Sequence, residues 1–108
     1  MDLKNYIGGN FCNQTGSEWI TNLEPATGKT ICRIPISNSE DVQKAIKSAK
    51  DAQKDWGNLS HVERSIWLDK IADKLEEWSE EIAELESRDT GKPISLSRSV
   101  DAARSISN

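Results

Sequence analysis

The sequence predicts a mixed fold in which N-terminal antiparallel strands precede three or four α-helices, together forming an incomplete domain. Up to about residue 37, short runs of β-forming residues alternate with turn signals, whereas from residue 38 apolar residues recur at helical spacing. Hydrophobic residues make up only 35% of the 108 residues, which is a small supply for a self-sufficient core. We therefore expect apolar faces that further polypeptide would cover.

Three extended runs are predicted in the strand region. Residues 6–12 are typical of a hairpin, because Gly8-Gly9 supplies the positive φ angles that a tight turn requires. Residues 19–23 form the second run, and the isoleucine-rich residues 30–36 form the third. Pro25 and Gly28 predict a turn between the last two runs.

Two helices are predicted next, each with its own start signal. Ser39 is a suitable N-cap for the first, and Gly57 is expected to end it. Ser60 and Glu63 form a capping-box pattern that begins the second helix.

A stripe of six apolar residues follows at steps of three and four, which imitates a coiled-coil seam over about two and a half heptads. Its members are Leu68, Ile71, Leu75, Trp78, Ile82 and Leu85. We expect a break near residues 77–79, with Ser79 as a new N-cap. Packing of this stripe onto a parent domain is the favoured interpretation, and a self-associating helix is the alternative.

The segment "DTGKP" at residues 89–93 predicts one helix end and one helix start. Gly91 can adopt the left-handed conformation of a C-terminal cap, and Pro93 is tolerated in the first turn of a new helix. Apolar residues from Ile94 to Ile106 outline that last helix, which lacks a clear stop signal, as though the chain were cut within an element.

Composition and charge argue against several function classes. The net charge is −4 and there is no basic cluster interleaved with aromatic residues, so nucleic-acid binding is disfavoured. There is neither an apolar stretch long enough to span a membrane nor a secretory signal pattern, so we expect a cytoplasmic protein. In that compartment Cys12 and Cys32 are expected to be reduced.

The residues offer no catalytic or cofactor-binding constellation. "TGK" occurs at residues 27–29 and 90–92, but a nucleotide-binding loop needs a glycine five positions earlier and a hydroxyl after the lysine, and neither segment has both. Cys12 and Cys32 lie in strand-like runs without an activating base, so we interpret them as structural. His61 has no partner at ligand spacing and is expected to be an inert surface residue.

The ordered set of segments nevertheless resembles the N-terminal part of the NAD(P)-dependent aldehyde dehydrogenase family. The segments are "YIGGNF" at 6–11, "EPATGKTICRIP" at 24–35, "DVQKAIKSAKDAQKDW" at 41–56, "ERSIWLDKIADKLEEWSEEIAELESRDTGKP" at 63–93 and "DAARS" at 101–105. The resemblance covers nearly the full chain. The terminal "GKPISLSRSVDAARSISN" is more similar to the branch that acts on aminomuconic and hydroxymuconic semialdehydes than to the betaine-aldehyde branch.

This resemblance implies an α/β parent fold with a Rossmann-like cofactor domain, of which residues 1–108 form the N-terminal part. It also implies a longer enzyme, a homo-oligomer, that oxidises an aldehyde to a carboxylate with NAD or NADP. In the family, the nucleophilic cysteine, the glutamate that activates water and the phosphate-contacting glycine loop all lie beyond the residues matched here. We therefore expect no catalytic residue in this chain, and neither activity nor cofactor binding from it alone. The alternative is a non-catalytic helical interaction protein derived from this N-terminal region.

One family site does map onto this chain. Some members bind a monovalent cation through a side chain and a carbonyl just before the Pro-x-x-Gly turn, and through the aspartate of Asp-x-Gly-Lys. By resemblance, the corresponding residues are Asn22, Leu23 and Asp89. The alternative is that Asp89 is a helix-end residue bonded only to backbone and water.

Overall fold

A computed structural model describes all of residues 1–108, and it confirms the predicted order of two antiparallel hairpins followed by helices. The first hairpin pairs β1 (Asn5–Ile7) with β2 (Asn10–Cys12), and the second pairs β3 (Trp19–Leu23) with β4 (Thr30–Pro35). Three helices follow, namely α1 (Ser39–Asn58), α2 (His61–Glu77) and α3 (Ser79–Thr90). The last helical stretch contains α4 (Ile94–Leu96), a π-helical segment (Ser97–Ala102) and α5 (Ala103–Ser107).

The chain divides into two compact units. The first unit comprises residues 1–23 and 30–59, and therefore contains both hairpins and α1. The second comprises residues 24–29 and 60–108, so it joins the turn of the second hairpin to the later helices.

In the first unit, the predicted N-cap of α1 was wrong by one residue. The cap is Asn38, whose side-chain oxygen accepts hydrogen bonds from the backbone N–H groups of Glu40 and Asp41 at 2.9 and 3.2 Å. Asp41 completes a capping box by accepting from the Asn38 N–H. Asparagine caps as well as serine does, and the carboxylate three residues later makes Asn38 the better choice.

The prediction that Gly57 ends α1 was also wrong. The helix continues to Asn58, and Leu59 takes an extended conformation that leads directly into the next N-cap. A glycine ends a helix only where the backbone turns left-handed, and Gly57 has no positive φ angle.

In the second unit, the structure confirms the start of α2 and the break after it. Ser60 accepts a hydrogen bond from the Glu63 N–H at 3.2 Å, and the Glu63 carboxylate accepts from the Ser60 N–H at 2.8 Å. Trp78 separates α2 from α3 and occupies the N-cap position of α3 without a side-chain hydrogen bond, so the prediction of Ser79 as a cap was wrong. Because Trp78 makes the break within a single residue, Ser79 is already helical.

Small residues allow α3 to approach the π-helical segment closely. Ala83 on α3 and both Ser97 and Ala102 at the ends of that segment are buried. The Ser97 hydroxyl is buried without a hydrogen-bond partner. The sequence did not predict the π-helical geometry, which inserts an extra residue in the helical turn.

Most apolar side chains remain accessible to solvent. Only Cys32, Ala83 and Ala102 are buried apolar residues, whereas nineteen large hydrophobic residues are exposed. The predicted stripe follows this pattern, since Leu68 and Trp78 are 59% and 57% exposed. Isolated domains seldom leave this much apolar surface uncovered. No helix combines the length and hydropathy needed to cross a membrane.

Candidate functional site

The two Thr-Gly-Lys segments have the same local geometry. Gly28 and Gly91 are both left-handed, with φ angles of 69° and 76°. In each segment the lysine N–H donates a hydrogen bond of 3.3 Å to the hydroxyl of the threonine two residues earlier. Each threonine hydroxyl also donates, that of Thr27 to the Glu24 carboxylate and that of Thr90 to the Glu86 carbonyl. The repeated motif therefore builds two turns.

Within the second unit, the first turn packs against the second. A Cβ atom placed on Gly91 would lie 3.2 Å from Cβ and 3.6 Å from Cγ of Pro25. Arg88 on α3 approaches the Glu24 carboxylate at 3.6 Å. The glycine at position 91 thus serves both the left-handed cap and the close approach of the Pro25 ring.

The side chain of Lys92 forms ion pairs with carboxylates of the same chain. Its ammonium group contacts the Asp101 carboxylate at 2.9 Å and the Glu86 carboxylate at 3.1 Å. Its carbonyl accepts a hydrogen bond of 2.6 Å from the Ser87 hydroxyl. The hydrogen bonds to Asp101 and Glu86 raise the pKa of Lys92 above its ordinary value of 10.5.

Through Lys92, hydrogen bonds connect the end of α3 to the π-helical segment. Lys92 and Ser87 bond across the turn, and Asp101 lies within the π-helical segment. An anion placed at this turn would meet the Glu86 and Asp101 carboxylates beside the Lys92 ammonium group. The absence of a phosphate cradle at this segment stays a prediction.

The residues of the predicted cation site are found in different units. Asn22 and Leu23 lie in β3 of the first unit, and Asp89 lies in the last turn of α3 in the second. The Asn22 amide nitrogen donates to the Cys32 sulfur at 3.9 Å. The structure contains no group of three or more His, Cys, Asp or Glu side chains arranged to hold a metal ion. That finding does not test the predicted site, which would use only one such side chain.

Sequence reasoning missed the role of Asp41. Only 4% of this residue is exposed, and its carboxylate accepts hydrogen bonds from the Thr15 hydroxyl at 2.6 Å and from the Thr15 N–H at 2.9 and 3.1 Å. The Thr15 hydroxyl, the N–H groups of Asn38 and Thr15, and the nearby Lys44 together lower the pKa of Asp41 below 3.8, against an opposing effect of burial. The Asn-x-x-Asp pattern at residues 38–41 signals the cap, but no local pattern signals the contact with Thr15.

The two cysteines and the histidine differ in their exposure to solvent. Cys32 is buried, Cys12 is half-buried, and both are free thiols. His61 is exposed, and its Nδ1 atom lies 2.9 Å from an Arg64 guanidinium nitrogen.

A family profile and individual relatives both match this chain over nearly its whole length. The profile of the aldehyde dehydrogenase family matches residues 11–108. The chain is 40% identical over 108 residues to the 2-aminomuconic semialdehyde dehydrogenase of Mus musculus, covering 98% of this chain and 21% of that protein. The identity is 42% over 106 residues to the enzyme of the same name from Danio rerio, with the same coverage of both chains.

Solved structures agree with the sequence comparison. The structure matches PnpE in complex with nicotinamide adenine dinucleotide with a TM-score of 0.93 and 40% identity, over 98% of this chain and 22% of PnpE. It matches lactaldehyde dehydrogenase from Escherichia coli with a TM-score of 0.92 and 37% identity, over 98% and 22% of the two chains. The chain thus spans about one fifth of the length of the proteins it resembles.

Proposed function

Because the chain belongs to the aldehyde dehydrogenase family, we propose that residues 1–108 form the N-terminal part of the cofactor-binding domain of an NAD(P)-dependent aldehyde dehydrogenase. The complete enzyme would oxidise an aldehyde to a carboxylic acid. The observation that carries this proposal is the family match over residues 11–108, combined with a span of about one fifth of the relatives' length. The nineteen exposed large hydrophobic residues support it, because the rest of the enzyme would cover such faces.

The break at Trp78 favours this proposal over a self-associating helix. It divides the apolar stripe between two helices, α2 and α3, so that the stripe does not form one continuous seam. A coiled coil requires a seam sustained over at least three or four heptads. Packing of the two halves onto a parent domain has no such requirement.

In this proposal the 108-residue chain is inactive alone. A nicotinamide cofactor, when bound, supplies the group that accepts hydride from the substrate. The residues of this chain do not suit its diphosphate, because neither Thr-Gly-Lys turn forms a cradle of N–H groups and Lys92 is paired with two carboxylates. The contribution of the segment is structural. It supplies strands, outer helices and the turn at Gly91.

The proposed substrate class is a semialdehyde, and the proposed cofactor is NAD. The identities of 40% and 42% to two 2-aminomuconic semialdehyde dehydrogenases support the first assignment. The crystal structure of PnpE with nicotinamide adenine dinucleotide supports the second. A homo-oligomeric parent enzyme in the cytoplasm completes the proposal.

A monovalent cation bound by Asn22, Leu23 and Asp89 is a further part of this proposal. Their amide, carbonyl and carboxylate oxygens are the donor types that hard cations prefer. Comparing the thermal unfolding midpoint in sodium and in tetramethylammonium chloride, at equal ionic strength, would test the site. The sodium-specific stabilisation should disappear in Asp89→Asn and persist in Asp69→Asn, an exposed control on α2.

Sequencing the transcript beyond the codon for Asn108 tests the proposed function directly. A downstream glycine-rich loop followed by a glutamate and a cysteine of the catalytic pair is the expected result. A stop codon at this point, or a downstream sequence without those residues, would refute the enzyme assignment. Titration calorimetry of the 108-residue chain with NAD should show no saturable binding, and micromolar binding would contradict the structural role proposed here.

A further inference from the structure

The last helical stretch buries residues that a continuous α-helix could not place on one side. Ser97 and Ala102 are 0% and 3% exposed, and Ile106 is half-buried. Each residue of an α-helix turns by about 100°, so a step of five residues turns by about 140° beyond one full rotation. A continuous α-helix would therefore direct Ser97 and Ala102 to nearly opposite sides, and would direct Ile106 away from Ser97.

The π-helical segment removes this conflict. Its turns are closed by hydrogen bonds between residues five apart, so Ser97 and Ala102 lie one turn apart on the same side. Ala102 and Ile106 are four residues apart, and α5 between them is regular α-helix, so these two residues share a side as well. The π-helical segment packs on α3 and α5 packs on α2, which agrees with one inner side for all three residues.

A continuous α-helix of the same sequence would bury charged residues instead. Asp101 and Arg104 follow Ser97 by four and seven residues, which in α-helical geometry places both within about 40° of its direction. Burying either charge without a partner is unfavourable. In the structure Arg104 is exposed, and the Asp101 carboxylate lies 2.9 Å from the Lys92 ammonium group.

We propose that the π-helical segment contains one residue more than a continuous α-helix needs, and that this extra residue sets the rotation of α5 about its axis. The extra residue turns the helix that follows by about 100°. This rotation brings Ala102 and Ile106 to the inner side and leaves Asp101 beside Lys92. The proposal rests on contacts within the second unit, and it does not depend on the enzymatic function proposed above.

Serine hydroxyl groups add hydrogen bonds on both sides of the wide turn. Ser99 donates to the Ser95 carbonyl at 2.9 Å, and Ser105 donates to the Asp101 carbonyl at 2.9 Å. Serine hydroxyl groups that bond to the carbonyl four residues earlier often accompany a bend in a helix. Ser99 is exposed and lies inside the segment, so its removal takes away no residue of the inner side.

The test compares two single-residue deletions by urea unfolding of the 108-residue chain. Deletion of Ser99 should close the wide turn into a continuous α-helix, because Ala102 then follows Ser97 by four residues and stays on the inner side. Its unfolding midpoint should equal or exceed that of the wild type. Deletion of Ala103, which is also small and exposed, must either turn Ile106 by about 100° or close the wide turn and bury Asp101. Its midpoint should fall by roughly 1 M urea.

A pair of substitutions checks the rotation without a change in chain length. Ala102→Gln should unfold at a clearly lower urea concentration than the wild type, because it forces a larger polar side chain into a buried position. Ala103→Gln introduces the same side chain at the exposed neighbouring position and should leave the midpoint unchanged. The proposal is overturned if the two deletions shift the midpoint equally, if deletion of Ser99 is the more damaging, or if the two glutamine variants are equally stable.

Discussion

The substitution Gly91→Ala probes the turn that joins α3 to the last helical stretch. Gly91 has a φ angle of 76°, and a methyl group at this position would lie 3.2 Å from Cβ of Pro25. Two separate costs are therefore expected, one from the left-handed backbone and one from the contact with the proline ring. Gly28 separates them, because it has a φ angle of 69° and nothing within 4 Å of its added Cβ.

The expected magnitudes follow from these geometries. An alanine held in the left-handed region costs about 1–2 kcal/mol, and the lower backbone entropy of the unfolded alanine chain offsets roughly 0.5–1 kcal/mol of this. Gly28→Ala should therefore lower the free energy of unfolding by about 1 kcal/mol. Ordinary carbon contacts are at about 3.5–4.0 Å, and overpacking typically costs a further 1–3 kcal/mol, so Gly91→Ala should lose about 2–4 kcal/mol. The proline ring cannot rotate away to relieve the contact.

Urea unfolding followed by far-ultraviolet circular dichroism measures both variants against the wild type. The denaturant dependence should be unchanged, so that shifts in midpoint report stability. The double variant Pro25→Gly, Gly91→Ala should recover the part of the loss that arises from the ring. Equal losses for Gly28→Ala and Gly91→Ala would refute the argument that the two turns pack against each other.

Three further predictions, made with five substitutions, test the caps and ion pairs. Ser60→Ala should lose about 1 kcal/mol of stability in urea unfolding, because it removes a capping box, whereas Ser79→Ala should be nearly neutral because Ser79 caps nothing. The wild type should have a larger free energy of unfolding than Asp41→Asn, and this difference should be full above the unfolded pKa of 3.8. The difference should shrink as the pH falls through the lower folded pKa, which urea unfolding at a series of pH values would measure. Lys92→Met should lose little stability in the same assay, because its side chain is 38% exposed and solvent screens its ion pairs, and Asp101→Asn should lose no more.

Those three predictions can each fail in a distinct way. A neutral Ser60→Ala would mean that the capping box contributes nothing. A constant difference between the wild type and Asp41→Asn down to pH values well below 3.8 would show that folding does not lower the pKa of Asp41, so that its contacts with Thr15 would not favour the ionised form. A loss of several kcal/mol for Lys92→Met would contradict the treatment of its ion pairs as screened by solvent.

Much of the fold follows from local signals in the sequence. The glycine pair at residues 8 and 9, the capping box at Ser60 and the left-handed cap at Gly91 all act within a few residues of their own position. Each of these was predicted, because a turn or a cap depends on the types of a few consecutive residues. The caps predicted at Ser39 and Ser79 failed for the same reason, since a neighbouring residue held the cap position.

Features that depend on distant contacts could not be predicted in this way. Asp41 meets Thr15 across 26 positions of sequence, and Arg98 forms an ion pair with Glu80 across 18. The π-helical segment lies against α3, and no local pattern in residues 97–102 signals its geometry. For the candidate site, the residues indicated that neither Thr-Gly-Lys is a phosphate loop, but not that the two turns have equal geometry and pack together.

The most direct test of the central claim is a chimera of an active relative. Its parent is the 2-aminomuconic semialdehyde dehydrogenase of Mus musculus, to which this chain is 40% identical over 108 residues. Residues 1–108 would replace the aligned segment of that enzyme, and reduced nicotinamide formation with its semialdehyde substrate would be measured beside the 108-residue chain alone. If this chain is the N-terminal part of such an enzyme, the soluble chimera should oxidise the substrate and the isolated chain should not. A folded chimera without activity, or an isolated chain with activity, would contradict the claim.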